Sequence, residues 1–239
     1  MAQIFSPATN TLAKLSLLLA VIGPVGILGL ATGVSRSPYN TKATVPLEQP
    51  IPFSHQHHAM ELGIDCRYCH ASVEKSASAG FPATQTCMSC HSQIWTNSPL
   101  LEPVRESYKT GKPLQWTKIN SVPDFVYFNH SIHIKRGVNC NYCHGAIQKQ
   151  MLTYKGKPFY MAWCLECHRN PEKYIRPQSE VFDLYAKYQR KEKLNAHERS
   201  LLEGEDYVPA DNQEEEGKLL LHKYHVKKAQ LADCWICHR

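Results

Sequence analysis

Cysteine spacing constrains this chain more than any other sequence feature. All ten cysteines of the 239 residues fall into five pairs, and each pair is a Cys-x-x-Cys followed at once by histidine. The pairs are Cys66/Cys69, Cys87/Cys90, Cys140/Cys143, Cys164/Cys167 and Cys234/Cys237. Histidine accounts for only 13 of the 239 residues, so five such successions by chance are expected in roughly one chain in two million. The five copies are therefore one motif used five times.

The motif Cys-x-x-Cys-His is typical of c-type haem attachment, in which both cysteines form thioether bonds to haem and the histidine binds its iron. Zinc ribbons, thioredoxin-like redox sites and disulfide frameworks also use Cys-x-x-Cys. A zinc ribbon takes two pairs for each ion, which leaves one of five pairs over, and it needs no histidine after every pair. We therefore expect five covalently bound haems c, held by all ten cysteines.

Each motif supplies one proximal iron ligand, and the set is His70, His91, His144, His168 and His238. Three His-x-x-His segments offer six distal candidates for the five remaining positions: His55, His58, His130, His133, His222 and His225. Methionine is also an axial ligand of haem, which makes Met161, Met151 and Met60 the alternatives. We interpret the two other histidines, His57 and His197, as surface residues. Since no open iron is forced by this count, the pattern favours electron transfer over catalysis at iron.

An internal repeat is visible when two stretches are compared. Residues 53–70 and 128–144 both begin Phe-x-His-x-x-His and both end in a Cys-x-Tyr-Cys-His motif, with one inserted residue in the first copy. A second attachment motif follows each copy, so the repeated unit is a haem pair, covering about 53–91 and 128–168. Residues 220–239 resemble the first half of such a unit. We expect one of its two upstream histidines to reach back to a haem of the preceding unit.

An apolar segment precedes the motifs. The twenty residues from Leu15 to Val34 carry no charge, are bracketed by Lys14 and Arg36, and are about long enough to cross a bilayer. A cleavable secretory signal is the competing interpretation, but the run is longer than a usual signal core. We expect an uncleaved anchor over residues 1–36. Its Gly29-x-x-x-Gly33 is a hypothetical contact face for another membrane helix.

Haem is attached to c-type cytochromes outside the cytoplasmic membrane, so residues 37–239 are expected to face the periplasm of a bacterium. The formal net charge of +6 does not indicate nucleic acid. Ten propionates on five haems would change it to about −4 with ferrous irons and about +1 with ferric irons. We therefore expect no nucleic-acid partner.

The length of the chain bounds its fold class. Only 205 residues follow the first 34, about 41 for each haem, which is too few for a conventional core around every cofactor. We expect a mainly irregular fold with short α-helices packed on haem, one N-terminal transmembrane helix and one periplasmic domain. Pro177–Tyr188 carries apolar residues at helical spacing, with Ser179 as the N-cap, and predicts a helix. Glu214–Glu216 is interpreted as a solvated turn.

Two resemblances follow from these residues. The Phe-x-His-x-x-His segments before Cys66 and Cys140 look like the class III or c7-type multihaem cytochrome pattern. The whole arrangement, with CMSCH at 87–91 and MAWCLECHRNPE at 161–172, resembles the pentahaem cytochrome c subunit of alternative complex III. That family implies a membrane quinol:electron-acceptor oxidoreductase. In it a polytopic subunit oxidises quinol, an iron–sulfur subunit lies beside it, and the pentahaem subunit passes electrons on.

The resemblance implies an electron-transfer subunit that is not an enzyme by itself. Its acceptor would be a monohaem cytochrome c subunit or a soluble periplasmic cytochrome c, blue-copper or iron–sulfur protein. Two alternatives remain open. A one-span multihaem quinol dehydrogenase would feed periplasmic reductases, but such proteins have four haems. A small-molecule reductase is disfavoured because no motif is of the Cys-x-x-Cys-Lys type.

Overall fold

The computed structural model describes residues 6–204 and 207–238. The chain divides into two compact units, Met1–Lys42 and Ala43–Arg239. All five Cys-x-x-Cys-His motifs lie in the second unit.

One long helix, α1 (Pro7–Arg36), makes up most of the first unit and is followed by the short α2 (Pro38–Thr41). Proline is well suited to the first helical position, where its missing N–H leaves no bond unmade. The most apolar 18 residues of α1 have a mean hydropathy of 2.2, and thirty residues at about 1.5 Å each extend roughly 45 Å. The helix is long and apolar enough to cross a membrane, a test that a signal sequence also passes.

Short helices joined by long irregular segments form the second unit. Its α-helices are α3 (Cys66–Cys69), α4 (Thr84–His91), α5 (Glu102–Thr110), α6 (His130–Lys135), α7 (Cys140–His144), α8 (Met161–Arg169), α9 (Glu180–Gln189), α10 (Ala196–Glu203), α11 (Gln213–Lys223) and α12 (Cys234–Cys237). One π-helical turn covers Gln56–Glu61, and short 3-10 turns cover Pro99–Leu101, Ile147–Lys149, Pro171–Lys173 and Lys228–Gln230. Within residues 6–204 and 207–238, strand pairing is limited to isolated bridges. The predicted fold class, mainly irregular with short helices, is confirmed.

The apolar core of the second unit is small. One cluster joins Tyr142, Leu184, Leu201 and Leu202, and a second joins Val73, Ile134 and Val181. Helix α9 lies between them, since it contributes Val181 and Leu184 at helical spacing to different clusters. Few side chains are fully buried, as expected for a chain that packs on cofactors rather than on itself.

The predicted helix over Pro177–Tyr188 is present but begins later, at Glu180. Ser179 precedes it, but its side chain makes no capping hydrogen bond. Tyr188, which was predicted on the apolar face, is 40% exposed. The helix therefore covers the core with its first two turns only.

Two other predictions were wrong. His197 is 6% exposed, because α10 turns it inward, where its Nδ1 donates to the Val208 carbonyl at 2.7 Å. Glu214–Glu216 is not a turn but the first turn of α11, where carboxylates are stabilised by the helix dipole. Glu216 also pairs with Arg176 at 2.7 Å.

Candidate haem-binding sites

Every Cys-x-x-Cys-His motif lies on a short helix. Three helices, α3, α7 and α12, begin at the first cysteine of their motif. The side chains of Asp65 and Asn139 cap α3 and α7 by accepting from the backbone N–H of Arg67 and Asn141. On a helix the i, i+3 spacing places both cysteines of a motif on one face. All ten cysteines lie within the described ranges, and none of them is paired with another in a disulfide.

The cysteines of the motifs differ in burial. Eight of the ten are partly buried, whereas Cys90 of the second motif and Cys234 of the fifth are exposed. Most of the expected attachment residues are therefore partly enclosed by the protein, and Cys90 and Cys234 are the two exceptions. Cys234 begins α12, a helix that buries none of its residues.

The exposure of Cys90 follows from its place on α4. This helix buries only Thr84, whose hydroxyl lies 2.7 Å from that of Ser107 on α5. Cys90 comes six residues after Thr84, roughly 120° around the helix from this contact. The hydroxyl oxygen of the adjacent Ser89 lies 3.9 Å from the Sγ of Cys90. An exposed thiol is accessible for bond formation to haem, and attachment at Cys90 stays a prediction.

Histidines expected to be proximal and distal ligands come together in four pairs. The ring centroids are 6.5 Å apart for His55 and His70, and 6.2 Å apart for His58 and His91. The second repeat reproduces this arrangement, with His130 and His144 at 6.2 Å and His133 and His168 at 6.2 Å. The first residue of each His-x-x-His segment thus faces the first motif of its repeat, and the last residue faces the second motif.

The spacing of these pairs fits one haem iron between two imidazoles. A metal–imidazole bond of about 2.0 Å on each side, with roughly 1.1 Å from each bonding nitrogen to its ring centre, places the ring centres about 6.2 Å apart. Among the described residues, no three of His, Cys, Asp and Glu are grouped as a metal site. Two-ligand sites suit haem, because the porphyrin supplies the other four nitrogens.

Hydrogen bonds fix the proton on one ring nitrogen of these histidines. The Nδ1 atoms of His58, His70 and His91 donate to the carbonyls of Ser54, Gly80 and Ile94 at 2.8, 2.9 and 3.2 Å. In the second repeat, His130, His133 and His168 donate to Ala77, Asn129 and Leu231 at 2.9, 2.8 and 2.8 Å. A carbonyl only accepts, so Nδ1 carries the hydrogen and the Nε2 lone pair is free for a metal.

Burial keeps the imidazoles of His55 and His144 neutral. The pKa of His55 is lowered to about 4, first by burial and then by the charge of His70. The pKa of His144 is also lowered to about 4, by burial and then by His130. Only neutral imidazole offers a lone pair to a metal, so both rings are in the ligating form at neutral pH.

The one-residue difference between the repeats is absorbed in a π-helical turn. His58 is separated from Cys66 by seven residues, whereas His133 is separated from Cys140 by six. The segment with the extra residue is π-helical over Gln56–Glu61, whereas its counterpart α6 is α-helical. A π turn accommodates one inserted residue in a helix. Both repeats therefore present their histidines at the same ring spacings.

Phenylalanine supports each His-x-x-His segment. Phe53 stacks on His58 at 4.5 Å and meets the edge of His55 at 5.0 Å. Phe128 does the same to His133 at 4.5 Å and to His130 at 4.8 Å. Each phenylalanine thus holds both distal candidates of its repeat in fixed orientations.

The fifth motif has a different environment. The Nδ1 of His238 donates to the Phe125 carbonyl at 3.1 Å, and the Tyr127 N–H donates to the Cys237 carbonyl at 2.8 Å. Neither His222 nor His225 makes a ring contact with another histidine in the part of the chain that the structure describes, and both are exposed. The distal ligand at this site therefore stays a prediction.

The three methionine alternatives are not brought into the histidine pairs. Met161 is the first residue of α8 and is 66% exposed, and Met151 is 69% exposed. Met60 is half-buried in the π-helical turn. In the first four sites each expected proximal histidine faces a histidine, and methionine ligation stays a prediction.

Comparison with known proteins matches the sequence of this chain to haem proteins. Residues 31–99 match the class III cytochrome c family, and residues 126–198 match cytochrome c7 and related cytochromes c. A curated relative from Nitratidesulfovibrio vulgaris, named menaquinone reductase, multiheme cytochrome c subunit, is 32% identical over 144 residues, which cover 52% of this chain and 69% of the relative. The chain belongs to the multihaem cytochrome c family.

The two family matches in this multihaem cytochrome coincide with its two repeats. Each match contains one His-x-x-His segment and two attachment motifs, and the fifth motif lies outside both. Membership of the family implies covalently bound haem c. The thiol pairs on the motif helices and the imidazole pairs facing them have the chemistry that this cofactor requires.

Several residues that shape these sites have no sequence signature. Thr153 lies with its hydroxyl 3.0 Å from the Nδ1 of His55, and Gln150 donates to the His144 carbonyl at 3.3 Å. The carbonyls that orient the other imidazoles belong to residues of every kind, because any peptide unit offers an acceptor. Only the position of Thr153 and Gln150 shortly after a motif indicated their region.

Proposed function

We propose that this multihaem cytochrome is the electron-transfer subunit of a membrane complex that exchanges electrons with the quinone pool. The single observation that carries the proposal is the set of four histidine pairs at 6.2–6.5 Å. A histidine on each side of the iron fills both axial positions, whereas an enzyme that acts at haem iron keeps one position for its substrate. Sites closed in this way suit electron transfer.

Five haems are proposed, one for each motif. The ten motif cysteines would hold them covalently, and His70, His91, His144, His168 and His238 would be the proximal ligands. His55, His58, His130 and His133 would be the distal ligands of the first four sites. A bound haem c supplies a one-electron ferric–ferrous couple. The paired histidines would bind the iron from both sides and so exclude substrates from it, and the Nδ1 hydrogen bonds of the imidazoles would leave Nε2 free for ligation.

The proposed location is the bacterial cytoplasmic membrane, with α1 as a single anchor and residues 37–239 on the periplasmic side. Charge does not decide the side, but haem attachment does, since it occurs outside the cytoplasmic membrane. No residue of α1 is buried within the chain, and apart from the backbone of the helix itself no atom lies within 4 Å of a Cβ placed at Gly29 or Gly33. This bare face supports packing against a polytopic quinone-binding subunit.

The direction of electron flow separates two candidates. The resemblance to the pentahaem subunit of alternative complex III favours flow from quinol, through a polytopic and an iron–sulfur subunit, to a monohaem or soluble periplasmic acceptor. The name of the N. vulgaris relative, a menaquinone reductase subunit, favours the opposite direction, from a periplasmic donor to menaquinone. Both candidates need the same tethered set of haems.

One experiment tests the proposal and decides the direction. The chain is purified natively with its partners, and haem reduction by menaquinol is followed in the complex and in the isolated subunit. The proposal predicts copurifying membrane and iron–sulfur subunits, and exchange with quinone only in the complex. Net haem reduction by quinol supports the first candidate, and net quinone reduction from reduced haems supports the second. Rapid quinol oxidation by the isolated chain would contradict the proposal and favour a one-span quinol dehydrogenase.

A further inference from the structure

We infer that the five haem-binding sites do not follow one another in space as their motifs do along the chain. The spatial order is second, first, third, fourth, fifth, numbering the sites from Cys66/Cys69 to Cys234/Cys237. This inference rests on the proposed function, because it takes every motif as a haem site. Its evidence is the set of contacts by which one site holds the ligands of the next.

The first and second sites are adjacent because they share a helical turn. His55 faces His70 of the first motif, and His58, three residues later, faces His91 of the second motif. The motifs also touch directly, since the hydroxyls of Tyr68 and Ser89 form a hydrogen bond of 2.8 Å.

The third and fourth sites are adjacent for the same reason. Helix α6 carries His130, which faces His144 of the third motif, and His133, which faces His168 of the fourth motif. Each repeat is therefore a compact pair of sites. One site of each pair lies at the contact between the two repeats.

Three hydrogen bonds between the repeats show which members lie there. In the first site, the Nδ1 of His55 lies 3.0 Å from the hydroxyl of Thr153, which belongs to the second repeat. In the third site, His130 donates from both its backbone N–H and its Nδ1 to the carbonyl of Ala77, which belongs to the first repeat, at 3.1 and 2.9 Å. In the first and third sites, a candidate ligand of each repeat is thus hydrogen-bonded to a residue of the other repeat.

Among the described residues, the histidines of the second and fourth sites take no such support from the opposite repeat. The Nδ1 atoms of His58 and His133 donate to carbonyls four residues earlier in their own segments, those of Ser54 and Asn129. The proximal His91 of the second site likewise donates locally, to Ile94. These two sites therefore lie on the outer sides of their repeats, with the first and third between them.

The fifth site continues the row beyond the fourth. His168, the proximal ligand of the fourth site, donates to the carbonyl of Leu231, three residues before Cys234. Lys228 of the same segment pairs with Glu172, four residues after His168, at 2.7 Å. The second and fifth sites are therefore the two ends, and partners that deliver and accept electrons are expected to dock at these opposite ends.

Proton NMR of the fully reduced protein in detergent tests the order without any substitution. Low-spin ferrous haems are diamagnetic, so nuclear Overhauser contacts between haem methyl and meso protons identify neighbouring haems. The inference predicts contacts between the first and third haems, and none between the second and third. Contacts between the second and third haems without contacts between the first and third would overturn it. A protein that carries five haems in that other order would leave the proposed function standing.

A pair of matched variants provides the second measurement. His55→Met and His58→Met each exchange one distal ligand, and methionine raises the potential of the affected haem. At an applied potential that reduces only the altered haem, this haem becomes diamagnetic. Its ferric neighbours then lose their magnetic coupling to it. Besides the loss of the altered haem's own ferric EPR signal, the inference predicts that the signals of two neighbouring haems change in His55→Met and that of one neighbouring haem in His58→Met. The reverse pattern would contradict it.

Discussion

The Nδ1 of His168 donates a hydrogen bond of 2.8 Å to the carbonyl of Leu231, 63 residues later in the chain. The segment that leads to the fifth motif thus orients the proximal ligand of the fourth site. The sequence predicted that His222 or His225 reaches back to a haem of the preceding repeat, whereas the contact that the structure describes is made by a backbone carbonyl. Ligation by His222 or His225 stays a prediction.

Truncation after Leu221 is expected to change two haems, because it removes both the fifth motif and the acceptor for His168. The fourth haem should lose the hydrogen bond that strengthens its proximal imidazole as a donor, and its midpoint potential should rise. Potentiometric titration with EPR detection measures this. The double substitution Cys234→Ala and Cys237→Ala is the matched control, since it removes the fifth attachment but retains Leu231. An unchanged fourth haem in the truncated chain would contradict the prediction.

Ring-plane angles predict different EPR signals for the haems of one repeat. The planes of His58 and His91 are 67° apart, whereas those of His55 and His70 are 11° apart. Steeply crossed imidazoles give ferric haem a highly anisotropic low-spin signal, and nearly parallel imidazoles give a rhombic one. We expect the anisotropic signal to disappear in His58→Met and to persist in His55→Met. A spectrum with rhombic signals alone would refute the assignment.

Thr153 is expected to tune the first haem through His55. Replacing Thr153 by Val removes the hydroxyl that accepts from Nδ1, which weakens imidazole donation to ferric iron by roughly 0.5–1.5 kcal/mol. The midpoint potential of the first haem should rise by the corresponding amount, and Thr153→Ser should restore it. A potential that moves equally in both variants would show that packing, rather than the hydroxyl, is responsible.

Gly137 occupies a position that no other residue fits. It has φ +75°, and a Cβ there would lie 1.6 Å from the Arg176 carbonyl oxygen. Gly137→Ala is therefore expected to lower the free energy of unfolding by about 3 kcal/mol or more. Gly111 has a similar φ of +70° and nothing within 4 Å, so Gly111→Ala should cost only about 1 kcal/mol. Chemical denaturation of the two holoproteins measures both, and equal losses would count against the close approach.

Local features of the fold and sites could be predicted from the sequence. The attachment motifs are contiguous, and the histidines at 55, 58, 130 and 133 lie within about a dozen residues of a motif. The sequence did not predict which histidine faces which motif, because His58 faces His91, 33 residues later. That pairing depends on how Tyr68 and Ser89 bring two helices together.

Long-range positions were the least predictable. His197 looked like a surface histidine in a polar segment, but its burial depends on packing against Tyr207, with the ring centroids 5.5 Å apart. The exposure of Cys90 has no signal in the sequence either, because the five motifs share the same pattern. The hydrogen bonds from His130 to Ala77 and from His168 to Leu231 end on carbonyls, which every residue has. Because these acceptors are backbone carbonyls, no residue type indicates them in the sequence. The spatial order of the sites could therefore be inferred only from the structure.

The count of covalent haems per chain tests the central claim most directly. The pyridine haemochrome assay, normalised to protein by amino-acid analysis, measures it in the purified full-length chain. The account predicts five haems c per chain, one for each Cys-x-x-Cys-His motif. Four or fewer covalent haems in a homogeneous preparation would contradict it.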